Sequence, residues 1–200
     1  MKLPKKLLSG LLVFLSLPVA FVQAHNFQDV RNQDWFAEYV DQLDTGEIIN
    51  TEVSNFYPNR SITRAELAKM AIKSAQYKGK LPVAMVSTDQ VFCDIPTSDW
   101  AHEFAALLAS KGINGITANC AQGKKFLPTQ PVTRAEALKM LFLVYSINIS
   151  GTSNFKDVDQ AAWYSSYVAT ATRLGLVNGY PDGTFRPNGL LTRAEMSKVI

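Results

Sequence analysis

The four residues Thr-Arg-Ala-Glu occur three times in the 200-residue chain, at positions 63–66, 133–136 and 192–195. In each copy the Thr stands three residues before the Glu, which is the capping-box spacing of a helix start. Apolar residues then follow at helical spacing, as Leu67 and Ala71 do in the first copy. Each copy therefore predicts the beginning of an amphipathic helix.

Three further landmarks precede each of these helix starts, always in the same order. They are Phe-x-Asp motifs ending at Asp29, Asp94 and Asp157, then Trp35, Trp100 and Trp163, then Phe-x-Pro motifs ending at Pro58, Pro128 and Pro187. The separations from Asp29 to Arg64, Asp94 to Arg134 and Asp157 to Arg193 are 35, 40 and 36 residues. An ordered pattern at a nearly constant period indicates a repeated supersecondary unit.

Each unit predicts a helix, a loop and a second helix. The first helix follows the Trp; in the third copy Trp163, Tyr167, Val168, Ala171 and Leu174 form its periodic face. Gly46, Gly112 and Gly175 stand where a left-handed residue ends a helix. Pro58, Pro128 and Pro187 predict that the chain just before each proline is extended. One helix pair has too little apolar surface to fold alone, so we expect an all-α fold of three helix-loop-helix repeats around one core, with short extended segments and turns.

The first 24 residues predict a secretory signal peptide. Lys2, Lys5 and Lys6 form its positive region, an apolar run covers 7–21, and Val22-Gln23-Ala24 supplies small residues near the cleavage point. A retained membrane anchor is the alternative, although Pro18 interrupts the run. Removal of this leader leaves 17 basic and 17 acidic residues. That balance argues against nucleic acid as a partner, and no later stretch has spanning length.

Cys93 and Cys120 are the two cysteines of the chain. In an exported protein an even pair favours a disulfide, with two buried free thiols as the alternative. Because residues 94–99 can run back along the first helix of the second copy, the two cysteines can meet at its far end. We expect the same antiparallel arrangement in all three copies. No metal site is predicted, because His25 and His102 form no ligand motif with the cysteines.

The ordered landmarks resemble the S-layer homology family over about residues 27–200. The resemblance implies a pseudo-threefold bundle that binds secondary cell-wall polysaccharide, often pyruvylated, or peptidoglycan in grooves between motifs. It also implies a secreted, non-catalytic anchor at the cell envelope, without a cofactor. We expect a signal peptide at 1–24, motifs at 25–73, 89–146 and 154–200, and linkers at 74–88 and 147–153. The third motif looks truncated, so a further domain is expected beyond Ile200.

The candidate ligand-binding residues are those that recur in every copy. Arg64, Arg134 and Arg193 are the leading candidates, because a cation at a helix N-terminus opposes the helix dipole and calls for an anionic partner. The alternative is that each Arg pairs with an Asp of a neighbouring repeat. The full set of candidates is Arg64, Arg134, Arg193, Trp35, Trp100, Trp163, Asp29, Asp94, Asp157, Gly46, Gly112 and Gly175.

Each remaining candidate also has a structural interpretation. The tryptophans can stack on sugars or belong to the core, and the aspartates can line a groove or cap a turn. Glycines can end helices or admit a ligand, while Glu66, Glu136 and Glu195 are capping-box members. Two other functions stay open, namely the anchor of a secreted glycan-degrading enzyme and a module for protein–protein assembly. The chain lacks the nucleophile-elbow, HExxH and phosphate-loop motifs.

Overall fold

The computed structural model describes residues 27–50, 52–82 and 90–200. The predicted signal peptide therefore lies outside the described residues, as do residues 83–88 of the predicted first linker. The described chain contains six helices: α1 (Ala37–Thr45), α2 (Arg64–Tyr77), α3 (His102–Ser110), α4 (Arg134–Val144), α5 (Ser165–Arg173) and α6 (Arg193–Val199). A short antiparallel hairpin joins β1 (Ile116–Thr117) to β2 (Lys124–Lys125). The helix-loop-helix prediction is confirmed for all three repeats.

The three second helices begin where the capping boxes predict. The Thr hydroxyl accepts the backbone N–H of the Glu at 3.3 Å in α2, 3.3 Å in α4 and 3.2 Å in α6. The glutamate carboxylate accepts the Thr N–H in return, at 2.9–3.0 Å. Both orphan donors are satisfied locally, so each helix start is specified by its own four residues.

A closed ring of backbone hydrogen bonds joins the three repeats at the centre of the molecule. Ile62 donates its N–H to Leu191, Leu191 to Val132, and Val132 to Ile62, at 2.9, 3.2 and 3.0 Å. All three side chains are buried. Each residue precedes the Thr of a capping box, so equivalent positions meet around one pseudo-threefold axis. This ring brings residues more than 120 positions apart into register and confirms the pseudo-threefold bundle.

The core is built from the Phe residues of the repeated motifs. In each repeat the Phe of Phe-x-Asp packs against the Phe of Phe-x-Pro, with ring centroids 5.2–5.7 Å apart. The buried faces of α2 and α4 are those predicted, with Leu67, Met70 and Ala71 and their counterparts inside. In α5 Val168 and Ala171 are buried, but Trp163 and Leu174 of the predicted face are about half exposed.

The first helices end in Schellman motifs, with one difference from the prediction. Ile48, Ile113 and Leu176 donate their N–H groups to the carbonyl of the residue five positions upstream, at 2.9–3.0 Å. Gly112 and Gly175 take the left-handed conformation, but in the first repeat that residue is Glu47, with φ 53°. The prediction for Gly46 is wrong because this glycine lies one position early, at φ −81°. Its lack of a Cβ instead avoids Ile48, whose Cδ1 would lie 3.0 Å away.

The residue before each Phe-x-Pro proline is also not extended, contrary to the prediction. Tyr57, Leu127 and Arg186 have φ values of 57°, 61° and 59°. This conformation is unfavourable for residues with a Cβ and needs support from neighbours. The support comes from the repeated Asp. Its carboxylate accepts the N–H of the Phe and of the strained residue, at 2.7–2.8 Å in all three repeats.

The disulfide prediction is confirmed. Cys93 and Cys120 are bonded, with their Cα atoms 6.3 Å apart. The Phe-x-Asp segment meets the loop beyond the first helix in every repeat, through Gln28, Cys93 and Lys156, whose N–H groups donate to that loop. Only the second copy has cysteines at this contact. Within the described residues, no helix is both long and apolar enough to cross a membrane.

Candidate site in three grooves between repeats

Three grooves of similar composition lie at the seams between repeats. We name each after the repeat that supplies its loop. The first groove has a volume of about 460 Å³, the second about 310 Å³ and the third about 270 Å³. Each combines its own loop, an Arg from one neighbouring repeat and a Trp from the other: Arg193 and Trp100 in the first groove, Arg64 and Trp163 in the second, and Arg134 and Trp35 in the third.

The pseudo-threefold axis explains this composition. Every repeat contributes its Arg to one seam and its Trp to the opposite seam, so each groove contains residues from all three repeats. An Arg and a Trp that are 93–99 positions apart in the sequence thereby line the same groove, as Trp35 and Arg134 do. The structure brings the predicted Arg and Trp residues together, one of each per groove.

The arginines are held in the same way in all three grooves. The Nε–H of Arg64, Arg134 and Arg193 donates to the Phe carbonyl of the adjoining Phe-x-Pro, at 2.7, 3.0 and 2.7 Å. Each guanidinium carbon lies 4.5–5.0 Å from the centroid of the same Phe ring. The stacking and the carbonyl bond fix the plane of the guanidinium. The two terminal nitrogens remain to contact groove residues or a ligand.

The grooves differ in what those terminal nitrogens contact. In the first groove Arg193 Nη1 lies 3.1 Å from Glu66 Oε1, and in the second Arg64 Nη1 lies 3.6 Å from Glu136 Oε1. Among the described residues, Arg134 of the third groove forms no ion pair within 4.0 Å. Its Nη2 donates to the Asn178 carbonyl at 3.3 Å. The third groove thus offers an arginine whose charge is not neutralised by a neighbouring carboxylate.

The carboxylates that meet the arginines are therefore the capping-box glutamates, not the aspartates considered from the sequence. Asp29, Asp94 and Asp157 use both carboxylate oxygens on backbone amides of their own repeats. In this structure they act as turn caps that shape the edge of each groove. All three glutamates cap a helix, and two of them, Glu66 and Glu136, also form an ion pair with an Arg.

The pKa values of these paired groups reflect their burial. Burial lowers the pKa of Arg64 and of Arg193, while the nearby Glu136 and Glu66 oppose that change. Burial alone would raise the pKa of Glu66, but hydrogen bonds from Arg60 and Thr63 and the charge of Arg193 outweigh it and leave the pKa below the ordinary 4.5. The Glu66 carboxylate is consequently stabilised in its charged form in the folded chain.

A pH prediction follows from the lowered pKa of Glu66. A group with a depressed pKa in the folded state stabilises the fold above its unfolded pKa and loses that contribution as pH falls through the folded value. We expect thermal melts of wild type and Glu66→Gln to differ most at pH 6–7, and the difference to shrink below about pH 4.5. Glu52→Gln, an exposed carboxylate, is the control. A difference that stays constant down to pH 3 would contradict this assignment.

The helix N-termini do not offer free amides, contrary to the sequence-based argument for the arginines. The N–H groups of Arg64 and Ala65 donate to the Gln130 and Pro128 carbonyls at 3.0 Å, and the third amide donates to the capping Thr. Equivalent bonds are present at α4 and α6. The dipole still places positive potential there, but any anion in a groove meets side chains and not unpaired backbone amides.

The three tryptophans project from the surface. Trp35, Trp100 and Trp163 are 57%, 55% and 53% exposed, so the core interpretation does not describe them. An exposed indole beside a fixed guanidinium suits a sugar ring that carries an acid. The candidate glycines differ in whether they line a groove. Gly175 lines the third groove, whereas Gly46 and Gly112 are not among the groove-lining residues.

Sequence reasoning missed a repeated lysine in every groove. Lys69, Lys139 and Lys198 each stand three residues after the capping-box Glu and line the first, second and third groove. The spacing Thr-Arg-Ala-Glu-x-x-Lys contained this signal. Burial lowers the pKa of Lys69, with Lys73 and Arg193 adding to the effect. Among the described residues, no group of His, Cys, Asp or Glu is placed to hold a metal ion.

The fold and grooves define a class of protein, a three-repeat helical module with cationic, Trp-bearing clefts between its repeats. The S-layer homology domain matches this chain at residues 26–68 and 154–197. The first and third repeats therefore belong to the S-layer homology family, and the second has the same capping box, Asp cap and groove. Membership implies a non-catalytic module with a cell-wall anchoring role at the cell surface.

Curated relatives of two kinds share this region. The chain is 28% identical over 183 residues to the exoglucanase XynX of Acetivibrio thermocellus, covering 87% of this chain and 16% of the relative. It is 29% identical over 195 residues to the amylopullulanase of Thermoanaerobacterium thermosulfurigenes, covering 90% and 10%. It is 32% identical over 120 residues to the surface-layer 125 kDa protein of Lysinibacillus sphaericus, covering 60% and 10%. The chain thus spans less than a fifth of the length of each of these relatives.

Proposed function

We propose that this chain is a non-covalent anchor that holds an exported protein to the cell envelope by binding an acidic wall polymer in the grooves between its repeats. The polymer is a secondary cell-wall polysaccharide, including pyruvylated forms, or peptidoglycan. A pyruvylated polysaccharide carries carboxylates on its sugar rings, and peptidoglycan carries them on the peptides attached to its sugars. The family supplies the anchoring role, and the groove chemistry supports an acidic ligand.

The observation that carries the proposal is the state of Arg134. Its guanidinium is fixed by Phe185 on one side and by the Asn178 carbonyl on another. No described carboxylate lies within ion-pair distance of it. A fixed arginine without an ionic partner favours an incoming carboxylate, since a charge-assisted hydrogen bond contributes about 1.5–3 kcal/mol.

The rest of the third groove fits a sugar acid. Trp35 offers an exposed indole face, Lys198 adds a second cation, and Leu176 and Val177 form an apolar wall. The first and second grooves contain the same groups, but there the arginine pairs with a glutamate. A ligand carboxylate must compete with that glutamate, so we assign the highest affinity to the third groove.

We expect Arg134→Ala to weaken binding to purified cell-wall sacculi by about 10- to 100-fold, which corresponds to the loss of one charge-assisted contact. Sedimentation of the chain with sacculi measures this directly. Arg31→Ala removes the same charge from an exposed position outside the grooves and is the matched control. Circular dichroism verifies folding of both variants. Unchanged binding of Arg134→Ala would contradict the assignment of Arg134.

A second arm tests the chemistry of the ligand. Sacculi stripped of ketal-linked pyruvate by mild acid, and sacculi with their carboxylates amidated, are compared with untreated material. An acidic ligand predicts loss of binding after amidation, and loss after mild acid identifies the pyruvate as the acid. Binding that survives both treatments would refute the acidic-polymer proposal and favour assembly with another protein.

The enzymes among the relatives support one further candidate function. The exoglucanase and the amylopullulanase are matched over a small share of their length. By analogy, the protein attached to this anchor would be a glycan-degrading enzyme. Glycan cleavage by the purified 200-residue chain itself would contradict the anchoring proposal, because that proposal assigns no catalysis to the repeats.

A further inference from the structure

A separate cavity lies on the third repeat, away from the grooves between repeats. We call it the side pocket; it has a volume of about 460 Å³ and is lined by Thr152, Asn154, Phe155, Lys156, Thr172 and Arg173, among others. It lies between the Phe-x-Asp segment of the third repeat and the C-terminal half of α5. It shares no lining residue with the three grooves.

The aromatic wall of the side pocket is particular to the third repeat. Phe155 is the first residue of the third Phe-x-Asp motif, and its counterparts Phe27 and Phe92 are 1% and 2% exposed. Phe155 is only partly buried and lines the cavity. The ring rests against Phe185 with centroids 5.7 Å apart, so it forms a firm platform. A partly exposed aromatic ring in a concave polar pocket is suited to stacking on a sugar.

The charges of the side pocket are also particular to the third repeat. Lys156 occupies the position held by Gln28 and Cys93 in the other repeats, and Arg173 the position held by Thr45 and Ser110. The described structure shows neither of these cations in an ion pair. Lys156 Nζ donates to the Asp182 carbonyl at 3.2 Å, and Arg173 Nη2 donates to the Ser150 hydroxyl at 3.1 Å.

Hydroxyl and amide groups complete the lining. Thr152 and Asn154 carry donors and acceptors that match sugar hydroxyls. The Thr172 hydroxyl donates to the Val168 carbonyl at 2.9 Å and remains an acceptor. Two cations, an aromatic face and neutral polar groups around one cavity match a sugar ring with an anionic substituent. A neutral apolar molecule would leave both cations without a counter-charge.

We propose that the side pocket is a separate binding site for an anionic sugar unit, either a uronic acid or a sugar phosphate. The site is independent of the grooves and of the role given to Arg134. It would give the third repeat a second contact with a charged polysaccharide, and two linked contacts raise the overall affinity through effective concentration.

The test uses the whole 200-residue chain and two-dimensional amide NMR. Glucuronate, glucose 1-phosphate and neutral glucose are titrated separately. We expect one or both anionic sugars to shift the amides of 152–156, 172–173 and 183, with at least tenfold weaker binding of glucose. Of the two anions, the tighter ligand identifies the substituent. Equal shifts with glucose, or no shifts at these amides, would overturn the proposal.

Variants then separate the side pocket from the grooves. Lys156→Gln and Arg173→Gln alter exposed side chains, and each is expected to weaken binding of the anionic sugar at least fivefold. Lys125→Gln, which alters an exposed lysine of the second repeat, is the charge-matched control. Shifts at 152–156 that persist unchanged in the Lys156→Gln, Arg173→Gln double variant would refute the site. If Arg134→Ala loses binding to sacculi but keeps these shifts, the two sites are distinct. If Arg134→Ala also loses the shifts, the sugar binds in the third groove and the side-pocket proposal is refuted.

Discussion

Replacing Cys93 and Cys120 together by serine is expected to lower the free energy of unfolding by about 3–4 kcal/mol. The disulfide closes a loop with a sequence separation of 27 residues, and the loss follows from the larger conformational freedom of the unfolded chain without that closure. Urea unfolding of the oxidised wild type and of the double variant measures the difference.

The control for this prediction is the reduced wild type. A reductant should bring the wild-type transition to that of the double variant and leave the variant itself unchanged. The structural change caused by loss of the disulfide should be centred on the second groove. The disulfide ties Cys93 to the hairpin region, and Ile116 of that hairpin lines the groove. Oxidised and reduced wild type that unfold at the same urea concentration would show that the disulfide does not contribute.

Asp157→Ala is expected to cost about 2–4 kcal/mol of unfolding free energy. The carboxylate accepts the N–H groups of Phe185 and Arg186 at 2.7 Å, and it supports Arg186 at φ 59°. Removal leaves two backbone donors without their partner and a strained residue without its support. The Phe185 platform under Arg134 would shift as well, so binding to sacculi should also weaken.

Asp159→Ala is the matched control for the Asp157 cap. Asp159 lies two residues after Asp157 and accepts one N–H, from Ala161, at an exposed turn. Its replacement by Ala should therefore lower the free energy of unfolding by less than about 1 kcal/mol. Asp157→Asn keeps one acceptor and should give an intermediate loss. Equal stability of Asp157→Ala and Asp159→Ala in urea unfolding would contradict the role of the repeated Asp as a double cap.

The repeat unit could be predicted because its signals are local. In the third copy, for example, the capping box needs only Thr192, Glu195 and the helical turn between them. All three copies form this capping box. The disulfide could also be predicted, since helix length and chain reach are set by standard geometry. One local error placed the left-handed residue at Gly46, one position before Glu47, which adopts that conformation. The other error, at the residues before the prolines, arose where a tertiary contact overrides the local preference. At Arg186 the Asp157 carboxylate holds a conformation that the following proline does not favour.

The composition of the grooves could not be predicted from one repeat at a time. The partners of Arg134 come from the next repeat, and the tryptophan that shares its groove comes from the repeat on the other side. Nothing in the spacing distinguishes Arg134 from Arg64 and Arg193. The difference appears only when Glu66 and Glu136 are seen to reach their arginines and Glu195 is not seen within ion-pair distance.

The amino-acid sequence by itself determined the repeat, the six helices and the disulfide, because capping, periodicity and chain reach act over a few residues or a single turn. Only the tertiary structure decided which side chains share a groove and which arginine keeps its charge available. The ring of backbone bonds through Ile62, Val132 and Leu191 closes the three repeats on one another. That closure places charges from distant parts of the chain within a few ångströms, where their pairing is set by geometry that no single repeat contains.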